Sequence, residues 1–255
     1  MKQPRKHLLC LLLALWLTGV LLAGCAADTA DANADLPVIT VGCDNYPPFT
    51  YVNSDGKPVG IDVELADEAF RRMGYRPEFV TINWAEKNTL LENGVIDCIW
   101  SSFSMSGRAD EYTWAGPYMY SHQVVAVMPD SDIQTLADLA GKTVVVQATT
   151  KPESLFLDGN DPRIPEIRAL HSLQKRELIY SYLAKGYADA VAAHEISILQ
   201  FMKDYGFEFR ILEEPLEAVE LGVAFSRSDD RGIAQALSAT LEEMQADGTT
   251  RSILA

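Results

Sequence analysis

The sequence predicts an α/β protein built on parallel sheets with helices on both faces. Of its 255 residues, 48% are hydrophobic and 22% are charged, which is typical of a globular chain. From about residue 37 onwards, short β-branched runs alternate with amphipathic segments that end at a glycine. Ligands of such sheets collect beyond the carboxyl ends of the strands. The loops after Val41, Trp100, Gln147 and Ala193 are therefore the candidate site.

In the first half of the chain, β-branched runs bounded by proline, glycine or turn residues are predicted to form strands. These runs are Val38–Val41, Tyr51–Val52 joined to Val59 across the Ser54-Asp55-Gly56 turn, Phe79–Ile82 and Val95–Trp100. Two segments are predicted to form helices because their apolar residues share one face and a glycine follows. They are Ile61–Met73 and Trp84–Asn93. Pro47 and Pro48 cannot donate to a ladder, so Asn45–Phe49 is predicted to be a loop.

The second half of the chain shows the same alternation. Strands are predicted at Val124–Val127, Thr143–Gln147, Ala188–Ala193, Phe209–Leu212 and Leu221–Phe225. Helices are predicted at Ile133–Leu139, Leu173–Lys185, Ile196–Tyr205 and Ile233–Met244. No repeat of solenoid length is present.

The N-terminus has the pattern of a secretory signal. Lys2, Arg5 and Lys6 precede the apolar run Leu8–Leu22, which ends in Leu22-Ala23-Gly24-Cys25. This ending resembles the lipobox of bacterial lipoproteins. The resemblance implies cleavage after residue 24, acylation of Cys25 by chains such as palmitate, and a lipid anchor on the cell membrane. Residues 25–36 are predicted to be a flexible tether. The alternative is an uncleaved signal anchor.

Charge and cysteine content exclude several classes of protein. Without residues 1–24, the chain has 18 basic and 36 acidic residues, a net charge of −18. Such a chain repels phosphate backbones, so nucleic-acid binding is not expected. Cys43 and Cys98 end apolar strand-like runs and are predicted to be buried structural thiols, although a disulfide between them stays open. No metal-binding spacing is present, and no cofactor is expected.

Two of the candidate loops are suited to an anion. Ser101–Arg108 is rich in hydroxyl groups and ends in a guanidinium, whose planar fork matches a carboxylate. Thr149 and Thr150 precede Pro152, a favourable first residue of a helix, and helix N-termini attract anions. We expect one carboxylate held from both sides. Alternatively, Arg108 pairs at the surface with a neighbouring acid, Asp110 or Glu111, and the threonines only cap the helix.

From about Pro37 to its end, the chain resembles the bacterial extracellular solute-binding proteins of the polar amino-acid group, family 3. The matching segments keep the order and spacing of that family. They are Tyr46–Phe49, Val59–Ala66, Gly94–Asp97, Arg108, Pro117-Tyr118, Leu139–Lys142, Gln147–Thr150 and Ala188–Val191. The resemblance implies a periplasmic-binding-protein-like fold of type II, with two lobes joined by two crossing strands. Lobe 1 would comprise residues 37–123 plus 219–255, and lobe 2 residues 124–218.

The resemblance also implies a function. The protein would be an extracytoplasmic, membrane-anchored monomer, not an enzyme, that captures a polar or cationic amino acid between its lobes. It would deliver this ligand to the permease subunits of an ABC transporter. Two alternatives stay open: a lipid-anchored ligand sensor, and an enzyme of the cyclohexadienyl dehydratase type, for which His194 or Glu195 would have to supply the catalytic acid.

Residues that match the family's motifs carry its roles over to this chain. Arg108, Thr149 and Thr150 would hold the ligand carboxylate, and Ser102 and Ser104 would bind its amine. Tyr46 and Trp84 would sandwich the aliphatic part of the ligand, which also suits a cationic end. Asp44 would bind the side chain of the ligand. The alternatives are ordinary packing for Trp84 and turn capping for Asp44.

The chain departs from the family pattern at three places. The spacings from Ser104 to Arg108 and from Asp44 to Tyr46 are each one residue shorter than usual. His194 stands where the family has an aspartate that neutralises the ligand ammonium, while Glu195 is interpreted as a solvated acid at a helix start. Since an imidazole titrates near pH 6.5, affinity for an amino acid is expected to fall between about pH 8 and about pH 5.5. Alternatively, the ligand is an anion without the amine, and its affinity rises over the same range.

Overall fold

A mixed β-sheet forms the centre of the computed structural model, which describes residues 35–255. Nine strands build this sheet: β1 (Val38–Cys43), β4 (Arg76–Thr81), β5 (Cys98–Ser104), β6 (Thr113–Val127), β7 (Thr143–Gln147), β8 (Ala169–Leu173), β9 (Ala190–His194), β10 (Arg210–Ile211) and β11 (Glu217–Phe225). Their order is β4-β1-β5-β11-β6-β9-β7-β8, and β10 pairs with β6. The predicted turn joins a separate antiparallel hairpin of β2 (Tyr51–Val52) and β3 (Pro58–Val59).

The prediction of parallel sheets is correct at the two ends of the strand order and wrong in its centre. β1 runs parallel to β4 and β5, and β7 runs parallel to β8 and β9. In between, β11 pairs antiparallel with β5 and β6, and β6 pairs antiparallel with β9. The prediction recognised only Val124–Val127 of the long strand β6, because Gly116 and Pro117 interrupt its β-type pattern.

Helices flank the sheet along the chain. They are α1 (Ile61–Arg72), α2 (Lys87–Glu92), α3 (Lys151–Asp158), α4 (Arg176–Ala184), α5 (Glu195–Tyr205), α6 (Ile233–Ala246) and α7 (Thr249–Ile253), with 3₁₀ turns at Trp84–Glu86 and Leu136–Leu139. The helix predicted at Leu173–Lys185 begins instead at Arg176, because Ala169–Leu173 pairs with β7 as a strand. Within residues 35–255, no helix combines the length and the apolar character needed to cross a membrane.

The hydrophobic core divides into clusters on either side of the two long central strands. One cluster packs α1 and α6 against β1 and β11, around Phe70 and Trp100. Two further clusters cover opposite faces of β7 and β9, around Val145 and Val144. This is the two-lobed type II arrangement, in which β6 and β11 are the predicted crossing strands. The lobe boundaries at residues 123 and 219 stay predictions.

Local contacts position the polar ends of β1 and β5. The predicted loop that contains Phe49 is held against α1, where the amide of Asp62 donates to the Phe49 carbonyl at 2.9 Å. Gly60, at a φ of 123°, permits this approach, since a Cβ there would lie 2.4 Å from the same oxygen. Strand β5 extends to Ser104, so Ser101, Ser102 and Ser104, which were predicted in a loop, lie in a strand, and Ser106 lies in the turn that follows.

Both cysteines of the described residues are free and buried, as the sequence predicts. Burial raises the pKa of the Cys43 thiol to about 12 and that of Cys98 well above its ordinary value, so both are unreactive thiols. The predicted signal at residues 1–24 and Cys25 lie outside the described residues.

Candidate functional site

Six of the nine predicted ligand-binding residues line one cavity, whose open space is about 310 Å³. They are Trp84, Ser102, Ser104, Arg108, Thr150 and His194. Six further lining residues were not predicted: Ser101, Phe103, Gln123, Lys151, Pro152 and Arg176. These residues come from separate segments, so only the fold brings them together.

Arg108 presents an unpaired guanidinium to the cavity. Its Nη1 donates to the Ser104 carbonyl at 3.2 Å, and its Cζ lies 5.2 Å from the centre of the Phe103 ring. No acid of residues 35–255 lies within ion-pair distance of it, so the alternative of a surface pair with Asp110 or Glu111 is not found. Burial lowers the pKa of Arg108, but an arginine remains charged. The remaining donors are available to a carboxylate.

Thr150 occupies the N-cap position of α3 without capping it. Its hydroxyl donates to the Gln147 carbonyl at 2.6 Å, and no side chain of the described residues accepts from the N-terminal amides at this cap. Pro152 lies in the first turn, as predicted. The first free N–H groups of the helix therefore remain available where Thr150 lines the cavity.

Thr149 faces the broad outer mouth of the cleft rather than the inner cavity. Its φ of 58° is in the left-handed region, which is unusual for a β-branched residue. Its amide donates to Glu153, and its hydroxyl accepts from Lys87 Nζ at 3.0 Å. The predicted contact of Thr149 with the ligand stays a prediction.

Trp84 packs in the core, which was the alternative that the sequence left open, and it also lies in the cavity wall, while its contact with a ligand stays a prediction. It is 4% exposed, packs edge-to-face on Phe103 at 5.2 Å between ring centroids, and lines the cavity. The Nζ of Lys87 lies 5.0 Å from the centroid of the Trp84 ring. Burial, followed by the neighbouring charge of Arg108, lowers the pKa of Lys87 to about 8.

Two buried acceptors in the cavity wall have no hydrogen-bond partner among residues 35–255. They are the Oγ of Ser102 and the Oε1 of Gln123. The amide of Ser102, at a φ of 50°, donates to Asp62 Oδ2 at 2.6 Å. Burial raises the pKa of Asp62 to about 7, although the hydrogen bond from Ser102 opposes this shift. The unpartnered acceptors are suited to a ligand donor.

His194 ends β9 and is held by neutral partners. Its Nδ1 lies 3.0 Å from the Ser121 hydroxyl, and its Nε2 lies 2.8 Å from Gln123 Nε2. Burial, and after it the charge of Arg176, lowers the pKa of His194 to about 3. The imidazole is therefore neutral at pH 8 and at pH 5.5. The expectation that His194 makes affinity depend on pH in this range is wrong, because it assumed an ordinary imidazole pKa.

Arg176 occupies the position that the sequence assigns to a cationic ligand group. Its Cζ lies 3.3 Å from the centroid of the Tyr46 ring, and its Nε lies 3.5 Å from Asp44 Oδ2. Gln147 Nε2 donates to the same oxygen at 2.7 Å, and Asp44 Oδ1 accepts from the amide of Asn45 at 2.9 Å. Asp44 and Tyr46 lie behind Arg176 and are not among the residues that line the cavity.

The sequence contained one usable signal for Arg176. The residue follows β8, which runs parallel to β7, so it lies at the same carboxyl edge as Thr150. The prediction missed strand β8 and therefore never considered the loop after it.

The chain matches proteins of one family over almost all of the described residues. The model of "Bacterial extracellular solute-binding proteins, family 3" matches residues 39–255. The provisionally assigned amino-acid ABC transporter-binding protein PatH of Vibrio harveyi is 32% identical over 231 residues, which are 89% of this chain and 90% of PatH. The histidine-binding periplasmic protein of Salmonella typhimurium is 33% identical over 221 residues, 83% of this chain and 84% of that protein.

A solved structure shows the same fold. The crystal structure of Tv2483 bound to L-arginine superposes with a TM-score of 0.77 at 27% identity, covering 85% of this chain and 88% of that chain.

Proposed function

Because this chain belongs to the bacterial extracellular solute-binding proteins of family 3, we propose that its cavity holds an amino acid by the carboxylate and ammonium groups. The protein captures an amino-acid-like ligand and delivers it to an ABC importer. It is extracytoplasmic, as its family is.

The main support for a carboxylate in this cavity comes from two groups in its wall. They are the guanidinium of Arg108, which has no ion-pair partner among the described residues, and the uncapped N-terminus of helix α3 at Thr150. A carboxylate between them would receive charge-assisted hydrogen bonds from one side and backbone amides from the other. The two groups lie in different halves of the chain. A ligand bound to both would therefore hold the lobes together.

The ammonium group of the ligand would bind to neutral acceptors. Gln123 Oε1 and Ser102 Oγ are buried, line the cavity and lack partners among the described residues. Leaving such acceptors unpaired costs roughly 1–3 kcal/mol each, so a ligand that donates to them is favoured. His194 would position this pair through its contact with Gln123 instead of neutralising the ammonium itself.

The cavity supports binding without turnover. A dehydratase needs an acid close to its substrate. The imidazole of His194 is neutral, because burial lowers its pKa to about 3, and its Nδ1 lies next to the uncharged hydroxyl of Ser121. Glu195 is half-exposed at the start of α5, with a carboxylate oxygen 3.5 Å from His122 Nδ1. This placement favours the interpretation of Glu195 as a solvated acid.

Anchoring by lipid on Cys25 belongs to the same proposal. The anchor would keep a monomer at the membrane surface, next to the permease subunits that receive its ligand. The N-terminal pattern supports this part of the proposal.

The test of the binding role is Arg108→Ala in the full chain, measured by calorimetry with a panel of amino acids. Loss of one partner of a buried charged pair costs roughly 2–5 kcal/mol, so affinity should fall by about 30-fold or more. Arg251→Ala removes an equal charge from the exposed helix α7 and should leave affinity unchanged. Wild-type affinity in Arg108→Ala would place the carboxylate elsewhere.

A further inference from the structure

We propose that the cavity selects an amino acid with a second carboxylate, such as L-glutamate or L-aspartate, and that Arg176 is the residue that determines this specificity. The inference rests on the proposed function of the same cavity. It favours an acidic side chain over the cationic or amide end that the sequence predicted.

Arg176 fills the place where a cationic side chain would have to bind. Its guanidinium stacks on Tyr46, at 3.3 Å from Cζ to the ring centroid, and faces Asp44 Oδ2 at 3.5 Å. Those two residues are the aromatic face and the acid that would recognise a positive charge. The protein therefore supplies its own cation there, and a cationic ligand group would meet a like charge.

Asp44 has no oxygen left for a ligand. Oδ2 accepts from Gln147 and faces Arg176, while Oδ1 accepts from the amide of Asn45. A ligand ammonium or guanidinium would have to displace these partners. Breaking a buried pair without replacing both partners is unfavourable.

Arg176 has donors that the protein does not use. It is 7% exposed, and its Nε, although 3.5 Å from Asp44 Oδ2, has no hydrogen-bond partner within residues 35–255. The residue also lines the cavity. A buried guanidinium with free donors is best satisfied by a carboxylate, which can accept two parallel hydrogen bonds.

The charge of the cavity wall matches an acidic amino acid. Its described lining contains the cations Arg108, Lys151 and Arg176 and no acid. Lys151 pairs with Glu217 at 3.2 Å and Arg176 with Asp44, so Arg108 supplies the unbalanced positive charge. A ligand with two carboxylates and one ammonium brings one net negative charge, whereas arginine or lysine would bring one net positive charge.

The test is calorimetric titration of the full chain with L-glutamate, L-glutamine and L-arginine at one salt concentration. L-glutamine has nearly the same shape as L-glutamate, but a neutral amide replaces the side-chain carboxylate. We expect L-glutamate to bind at least about 10-fold more tightly than L-glutamine, and L-arginine to bind most weakly.

Arg176→Gln isolates the contribution of the guanidinium. The variant should lower the preference for L-glutamate over L-glutamine to about 1, and it should strengthen L-arginine binding, since Asp44 and Tyr46 become accessible. Arg168→Gln is the matched control, because it removes the same charge from an exposed side chain at the start of β8. Its ratio of affinities should equal that of the wild type.

Each outcome separates the two proposals. If the wild type binds L-glutamine or L-arginine as tightly as L-glutamate, the selection for a second carboxylate is refuted and amino-acid capture stands. The same holds if Arg176→Gln keeps the wild-type ratio. If no amino acid binds, the proposed function fails as well. The wild-type ratio alone decides the question if Arg176→Gln does not fold.

Discussion

The buried imidazole of His194 should make the stability of the protein depend on pH. The folded state keeps His194 neutral with a pKa of about 3, whereas the unfolded chain protonates it near pH 6.5. Below pH 6.5 the unfolded state binds the additional proton. The stabilising effect of His194 is therefore complete above about pH 6.5 and is lost as the pH falls.

The size of this effect follows from the two pKa values. Between pH 7 and pH 5, a group with pKa values of about 6.5 unfolded and about 3 folded lowers the free energy of unfolding by roughly 2 kcal/mol. For a domain of this size, that corresponds to a fall in Tm of about 4–8 °C.

Asp62 opposes His194 over the same range. Burial raises its folded pKa to about 7, so the folded state binds the additional proton between about pH 4 and pH 7. Acidification from pH 7 to pH 5 thus stabilises the protein by roughly 2 kcal/mol through Asp62. In the wild type the two contributions nearly cancel, and only variants reveal them.

The assay is chemical denaturation of the wild type, His194→Gln and Asp62→Asn at pH 7 and pH 5. Glutamine can keep hydrogen bonds to Ser121 and Gln123, so His194→Gln removes mainly the titration. Relative to the wild type, His194→Gln should gain roughly 2 kcal/mol on acidification, and Asp62→Asn should lose a similar amount. Parallel pH profiles for all three proteins would refute the assignment of a neutral, buried His194.

Three further predictions concern other parts of the chain. Burial lowers the pKa of Lys87 to about 8, so the unfolded chain binds more protons than the folded one between about pH 8 and pH 10. In thermal melts, the Tm of the wild type should therefore rise relative to that of Lys87→Met over this range. A difference in Tm that does not change with pH would mean that Lys87 has an ordinary pKa. Gly60→Ala would place a Cβ 2.4 Å from the Phe49 carbonyl oxygen and should lower Tm by at least about 4 °C, whereas Gly56→Ala, with open space around it, should cost less. Cys25→Ser should release the protein or leave an uncut precursor on cell fractionation, and a processed, membrane-bound variant would contradict lipidation.

The sequence correctly predicted those strands and helices that can be recognised from the residues of one short segment alone. Thr143–Gln147 is an apolar run between a glycine and a loop, and the structure has a strand with the same bounds. Helix α1 ends one residue before the prediction because its apolar face and Gly74 mark it clearly. Strand β8 was missed, since Ala169–Leu173 has few β-branched residues and depends on hydrogen bonds to β7.

Part of the candidate site could be predicted from the sequence, because ligands of α/β proteins bind near the carboxyl ends of the strands. Ser104 and His194 end strands β5 and β9, Arg108 and Thr150 follow strands β5 and β7, and all four line the cavity. The pairing of Arg176 with Asp44 could not be predicted in this way, because 132 positions separate them and neither has a local signal for the other. Because their contact occupies the place where the sequence put a cationic or amide end of the ligand, one missed long-range contact changes the specificity that we propose.

Contacts across the cleft divide into those that favour any ligand and those that discriminate between ligands. Lys87 donates to the Thr149 hydroxyl at 3.0 Å, and the Tyr46 hydroxyl accepts from the His194 amide at 3.2 Å. These bonds join protein atoms, so their contribution to closure is the same for every amino acid. A ligand shifts the equilibrium between open and closed forms only through its own differential contacts. Loss of the Lys87 contact should therefore weaken all ligands by one common factor, whereas loss of Arg176 should change the ratio between ligands.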